Sequence, residues 1–313
     1  MAEVLDNETS CEQIAWVVSE AFGFSSPFTE AERLSGGIEN LVWLVRHHTS
    51  EFVLRVHPRN RAPHIEFEGQ LLEALGGTAH EIEVPVLLRS GDGKFGVQGP
   101  DGSIASLQLY ISSSGSAQPD LSLMNLASLV RACEAVHALG RSLSLPCPSL
   151  LKWDTRLIEV AERGNLDPAL EPVVWMALDE MALQGASLGQ KLVLSHGDVT
   201  PNNVLVDASG NPSALVDFDD AGWCTELFDA AVMARSFAFG LDGRVNMYRL
   251  HSIWGLWHDL NARYGFDAFW STLKYVCLRM SLLVADAIGA GAQGWTTLED
   301  TRRWRALTEM DVK

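Results

Sequence analysis

The residues with the clearest chemical content lie in one stretch, Ser195-His196-Gly197-Asp198-Val199-Thr200-Pro201-Asn202-Asn203, followed at once by the apolar run Val204-Leu205-Val206. Fourteen residues beyond Asn203 a second apolar run, Ala214-Leu215-Val216, ends in Asp217-Phe218-Asp219-Asp220. Asp207-Ala208-Ser209-Gly210-Asn211-Pro212 joins the two runs and is rich in turn formers. Two apolar runs on either side of such a turn predict a hairpin, which would bring Asn203 and Asp217 to the same end. Phosphoryl transfer needs a set of this kind. Mg²⁺ takes hard oxygen ligands, commonly one or two carboxylates completed by phosphate oxygens and water. The attacking hydroxyl needs a carboxylate that orients it and accepts its proton. Little covalent chemistry is left to the protein, so positioning and charge neutralisation dominate. Asp198 has the type and place for the base, and Asn203 and Asp217 for the metal. A loop of turn formers with helix-capping acids would account for a lone Asp-Phe-Asp. The full combination is too specific for that account.

The surrounding elements follow from hydrophobic periodicity. Residues 9–22 read as a helix, with Ile14, Val17, Val18 and Phe22 on one stripe. Residues 41–46 and 51–57 read as strands joined by the polar stretch 47–50, a second hairpin. Residues 63–76 read as a helix with Phe67, Leu71, Leu72 and Leu75 on its apolar stripe and Gly76-Gly77 at its end. Further strands are expected at 82–89 and 104–111. Residues 112–119 are rich in Ser and Gly and read as a linker. Beyond them helical patterns dominate, near 121–139, 168–186, 226–240, 245–264, 267–289 and 298–309. Strands and helices are segregated, which predicts an α+β chain of two lobes divided at residues 112 and 113 rather than a doubly wound sheet.

Composition narrows the partners. The chain has 313 residues and a formal net charge of −17, which argues against a nucleic-acid backbone as partner. The acidic excess is spread out: 15 acids to 7 bases in residues 1–100, and 13 to 10 in residues 214–313. Solubility explains such a distribution better than attraction of a cationic substrate does. The five cysteines are widely spaced and form no CxxC pair, so neither a zinc site nor a disulfide framework is expected. The apolar stretch 280–292 is shorter than the ~20 residues of a membrane span and carries Asp286. The first residues carry Glu3, Asp6, Glu8 and Glu12 without a basic cluster, unlike a signal peptide. A cytoplasmic location is the resulting expectation.

The stretch 196–203 resembles the catalytic loop of the aminoglycoside phosphotransferase and choline kinase superfamily, small-molecule kinases with a protein-kinase-like fold. It is the counterpart of the protein-kinase loop H-R-D-x-x-x-x-N. Asp217-Phe218-Asp219 resembles the metal-binding D-F-G, with Asp219 in the place of Gly. The resemblance implies a small antiparallel-sheet N-terminal lobe, a larger mostly helical C-terminal lobe, and ATP or GTP with Mg²⁺ as cofactors. It implies Asp198 as the catalytic residue, Asn203 and Asp217 as metal ligands, and His196, Asp219 and Asp229 in supporting roles, with Asp229 bracing the catalytic loop. Ser35-Gly36-Gly37, with Asn40 before the next strand, is similar to the family's nucleotide loop, where glycines let backbone N–H groups approach phosphate. Arg55 occupies the place of the phosphate-binding Lys, with Glu68 on the following helix as its partner and Glu66 as the rival. Arg still holds phosphate, in a bidentate fork. Backbone groups near Ile111 and Ser113 would meet the adenine edge.

The resemblance spans residues ~30–235 as motif order and spacing. It leaves the acceptor open between an aminoglycoside-like antibiotic, a related amine or sugar, and an amino alcohol such as homoserine or choline. Two other classes are weaker. A nucleotide-binding pseudokinase has only the Lys-to-Arg change in its favour. A protein kinase would carry an activation segment and A-P-E after Asp217, which are missing. His137 on an apolar face reads as a packed, hydrogen-bonded histidine, and His47-His48 as solvated turn residues. Trp254, Trp257, Trp270, Trp295 and Trp304 read as core. Asp242, Asp259, Asp286, Glu299 and Asp300 are candidates for a substrate amine.

Overall fold

The computed structural model describes residues 9–34, 41–77, 81–140, 192–240 and 242–289, with 302, 303, 306, 307 and 310 near the end. The nucleotide-loop residues Ser35, Gly36, Gly37 and Asn40 lie outside these, as does the helix expected at 168–186.

The first half builds a five-stranded antiparallel sheet in the order β1-β2-β3-β5-β4. The strands are β1 (Glu30–Arg33), β2 (Leu41–His47), β3 (Ser50–His57), β4 (Gly96–Gln98) and β5 (Ile104–Leu109). Alternation along β3 sends Phe52, Leu54 and Val56 to one face, where helix α1 (Thr9–Ala21) covers them with Ile14 and Val18. Arg55 and His57 alternate to the other face, where Arg55 meets Glu68 of helix α2 (Ala62–Gly76). The stripe of α2, namely Phe67, Leu71, Leu72 and Leu75, is at most 4% exposed. Each such side chain gains about 1.5–3 kcal/mol from burial. At Gly69 a Cβ would lie 2.2 Å from the Phe95 ring, so glycine lets α2 seat against that residue.

The second half is mostly helical, with α3 (Leu123–Gly140), α4 (Phe228–Phe237), α5 (Met247–Leu256), α6 (His258–Arg263) and α7 (Phe266–Gly289). Between α3 and α4 lie two short antiparallel pairs, one inside the other. β6 (Leu192–Ser195) pairs with β9 (Gly222–Thr225), and β7 (Val204–Val206) pairs with β8 (Pro212–Leu215). The nesting places the β6–β7 loop and the β8–β9 loop side by side.

Two expectations need correction. No strand forms over 82–89. Pro85 has no N–H to give a ladder, and the segment makes only isolated bridges from Glu83 to Ala214 and from Leu87 to Gln108. The helix expected over 245–264 is two helices, broken at Trp257, whose backbone turns to φ −85° and ψ 65°. The Ser/Gly-rich stretch expected as a linker is held by backbone hydrogen bonds: Ser114 N–H donates to Val206 O at 2.9 Å, and Ala117 N–H to Val204 O at 2.8 Å. The segment around Glu83 bonds β8 in the same way, through Glu83 N–H to Ser213 O and Leu215 N–H to Glu83 O. Both segments therefore run along the β7–β8 hairpin. No helix among the described residues is long and apolar enough to cross a membrane.

Candidate active site

Strand pairing builds the site. Val204 pairs with Leu215, and Val216 N–H donates to Asn203 O at 2.9 Å. Asn203 and Asp217 thus sit next to each other at the open end of the hairpin. Asn203 Nδ2 donates to Asp198 Oδ2 at 2.7 Å and to the Asp198 carbonyl at 2.9 Å. With the amide nitrogen so engaged, the amide oxygen is the atom left for a cation. Asp217 adopts the left-handed conformation, φ 64° and ψ 71°, and its side chain is 49% exposed. Aspartate tolerates that conformation better than most residues, and such backbones concentrate at functional sites.

The loop 196–203 takes its shape from a carboxylate on another element. Asp229, 0% exposed near the start of α4, accepts from His196 N–H at 3.0 Å and Gly197 N–H at 2.9 Å. His137 Nε2, on α3, lies 2.9 Å from the same carboxylate. Burial alone would raise this carboxyl; the bonds from His137 and Gly197 outweigh it and hold the group below its ordinary value. Gly197 is required by geometry, because its φ is +89° and a Cβ would lie 2.4 Å from the Asp220 carbonyl oxygen. His196 is buried with its ring 4.4 Å from that of Phe218. Asp198 N–H donates to His196 Nδ1, and His196 Nε2 faces Val216 O, both at 3.2 Å. That pattern defines the neutral tautomer protonated at Nε2, and burial lowers the ring's pKa accordingly.

Asp198 itself is pushed up to about 7, first by burial and then by the Asp220 carboxylate, against the pull of Arg235 and the Asn203 amide. A carboxylate with that value is matched to accepting a proton near neutrality.

Opposite the loop stands Arg55. Its Nη1 donates to Glu68 Oε1 at 2.7 Å. Its Nη2 lies 3.2 Å from Asp217 Oδ1 and pairs closely with Asp219 Oδ1. Glu66, the rival partner, is engaged elsewhere, accepting from Phe95 N–H at 2.9 Å and Gly96 N–H at 3.2 Å. Two positions apart on a helix means nearly opposite faces. Burial raises the Glu68 carboxyl above its ordinary value, against the pull of Arg55. On Arg55 burial acts downward, but Glu68, Asp219 and Asp217 outweigh it and hold the guanidinium above its ordinary value. Ile111 and Ser113 follow β5, and their backbone groups bond no other described residue.

Among the described residues no set of three or more His, Cys, Asp or Glu side chains could hold a metal ion. Asn203 and Asp217 offer two oxygen ligands, a number that fits Mg²⁺ when phosphate oxygens complete its shell.

A family model described as the phosphotransferase enzyme family matches residues 30–258. The chain belongs to that family. It is an enzyme that transfers phosphate to a hydroxyl group of a small molecule. Its fold is also that of several solved small-molecule kinases. The choline kinase LicA from Streptococcus pneumoniae shares 12% identity over 95% of this chain and 98% of its own, with a TM-score of 0.69. A thermostable mutant of aminoglycoside phosphotransferase APH(4)-Ia shares 16% over 96% and 100%, at 0.62. The amicoumacin kinase hAmiN shares 16% over 90% and 88%, at 0.65. No curated protein matches the phosphotransferase by sequence.

Several features escape sequence reasoning. His137 is packed and hydrogen-bonded as expected, but its partner, Asp229 on another helix, cannot be read from its sequence position. His47 is not simply solvated, since its ring lies 4.8 Å from Phe24. Asp220 and Arg235 both act on Asp198. A signal for Arg235 did exist: it is a lone cation in an otherwise apolar run, and α4 is buried along its whole length. Trp254 and Trp257 are core, at 4% and 0% exposed. Trp270 is half-buried, while Trp295 and Trp304 lie outside the described residues. Asp242 pairs with Arg244 in its own turn and Asp259 is exposed. The side chains of Asp286, Glu299 and Asp300 lie outside the described residues.

Proposed function

We propose that this phosphotransferase moves the γ-phosphate of ATP, bound with Mg²⁺, to a hydroxyl of an aminoglycoside-like antibiotic or a related amine or sugar. The observation that carries the proposal is the convergence of Asp198, Asn203 and Asp217 at one hairpin end, facing Arg55 across the lobes. The lobes divide at residues 112 and 113 in this reading, and the reaction takes place in the cytoplasm.

Asp198 accepts the proton of the substrate hydroxyl and orients its oxygen. Asn203 keeps that carboxylate aimed through its amide N–H and turns its oxygen to the metal beside Asp217. Mg²⁺, when bound, supplies charge neutralisation on the phosphates. Arg55, set by Glu68, holds phosphate oxygens, and the segment of Ser35, Gly36, Gly37 and Asn40 covers them. Backbone groups of Ile111 and Ser113 receive the base. Solved relatives of this fold support a nucleotide: a spectinomycin phosphotransferase with ADP and spectinomycin, and hAmiN with AMP-PNP and Ca²⁺.

The test is a coupled nucleotide-consumption screen over aminoglycosides, amino alcohols and sugars, with ATP and GTP. Turnover with an aminoglycoside or sugar, lost in Asp198→Asn while nucleotide still binds, is the expected result. Turnover with amino alcohols alone would move the assignment to a choline- or homoserine-type kinase. Full activity in Asp198→Asn would overturn the mechanism.

A further inference from the structure

Two residues depart from the protein-kinase pattern, Arg55 in the place of Lys and Asp219 in the place of Gly. We infer that they form one device: Asp219 is a positioning residue that holds Arg55 from the helical lobe, so that Asp217 is left for the metal. The inference rests on the nucleotide and metal reading above.

The guanidinium meets three carboxylates, and they are not equivalent. Glu68 lies 2.7 Å from Nη1, Asp219 pairs closely with Nη2, and Asp217 is the loosest of the three at 3.2 Å. Exposure makes the same division, at 3% and 20% for the Glu68 and Asp219 side chains against 49% for Asp217. The two tight partners are the more buried ones, and the loose partner opens toward solvent. A nitrogen whose position is already held by Asp219 can give up Asp217 to a cation at little cost. Without Asp219, Nη2 would have Asp217 as its nearest carboxylate, and a metal would compete with a buried cation for that ligand.

The chemistry of Arg explains why the two departures belong together. Lys offers one nitrogen on a flexible stem, which serves one close carboxylate well. Arg offers a rigid fork whose two terminal nitrogens can be held by different partners at once. Here one prong goes to α2 of the sheet lobe and the other to the turn after β8. The turn supplies the geometry. Asp217 is left-handed, the next three residues form a 3-10 turn, and Phe218 is 1% exposed beside His196. With Phe218 anchored inward, Asp219 reaches back across the lobe boundary to Arg55.

The test is a double-mutant cycle on binding rather than turnover. AMP-PNP affinity is measured by titration calorimetry across a Mg²⁺ series in wild type, Asp219→Asn, Arg55→Lys and the double variant. Thermal unfolding of each confirms that it is folded. Asp219→Gly is measured beside Asp219→Asn, so that one poorly folded variant does not decide the matter. We expect Asp219→Asn to raise the Mg²⁺ needed for half-maximal binding about tenfold in the wild-type background, and less than about twofold in the Arg55→Lys background. An equal loss in both backgrounds would overturn the inference and make Asp219 a direct metal ligand. No loss in the wild-type background would overturn it as well. Failure of the wild type to bind AMP-PNP with Mg²⁺ would remove the nucleotide reading itself, before any variant is compared.

Discussion

Replacing Asp229 by Asn tests how the loop 196–203 is held. The carboxylate is 0% exposed and accepts from His196 N–H at 3.0 Å on one oxygen and Gly197 N–H at 2.9 Å on the other. An amide of the same shape has one accepting end. In either orientation its NH₂ is set against one of those two backbone donors. Each buried hydrogen bond left unmade costs about 1–3 kcal/mol. Neutralising a buried carboxylate returns part of that, so a net loss of about 2 kcal/mol is expected. Asp229→Ala strips all three partners, His137 included, and should cost about 3–5 kcal/mol. Urea unfolding measures both. In the kinetics, kcat should fall on the order of 100-fold, because a loop displaced by an ångström misplaces Asp198. KM for nucleotide should stay within about twofold, since Arg55 and Glu68 are held by other elements. The effect also has a pH signature. Asp229 is held below its ordinary value. Its stabilisation is therefore complete above the unfolded value near ~4 and is lost as pH falls through the folded value. Wild type and Asp229→Asn should converge in stability toward acid. Wild-type stability and kcat in Asp229→Asn would refute this account of the loop, as would a parallel loss of nucleotide affinity.

Three further outcomes follow from the same site. Asp198 sits at about 7 in the fold, so kcat/KM should rise with pH through that value as the carboxylate loses its proton. Its folded value lies above the unfolded one, so the wild type loses stability as pH rises from about 4 through 7. The full shift would be worth ~4 kcal/mol, and partial exposure cuts this to about 2. Asp198→Asn should therefore be inactive yet more stable than wild type at pH ~8, with the gain gone near pH ~4; an equal gain at both pH values in chemical denaturation would count against the assignment. Gly197→Ala places a Cβ 2.4 Å from Asp220 O at φ +89°. Denaturation should show a loss of about 2–3 kcal/mol, and assays a kcat drop on the order of 100-fold; near-normal values for both would show that the loop tolerates another path.

Legibility in the sequence depended on how local each feature is. Strands β2 and β3 and helix α2 were readable, because alternation and the 3.6-residue stripe are written in adjacent residues. β1 and β4 were not: Glu-Ala-Glu-Arg and Gly-Val-Gln carry no apolar alternation and become strands only by pairing at the sheet edges. The strand expected at 82–89 failed because an apolar run says nothing of where its backbone bonds go, and Pro85 interrupts them.

The same division runs through the site. Asp198, Asn203 and Asp217 could be placed together from sequence, because one short hairpin sets their separation. That was enough for the reaction class. Folding decided which side chains serve that set. Glu68 rather than Glu66 meets Arg55 because of the rotation of α2 against the sheet. His137 meets Asp229 across 92 residues, and Arg55 meets Asp217 across 162. Contacts between such distant segments leave no spacing to read, since they exist only once the lobes have packed. The sequence by itself thus determined that phosphate is transferred, and the tertiary structure decided how Asp198, Asn203 and Asp217 are held.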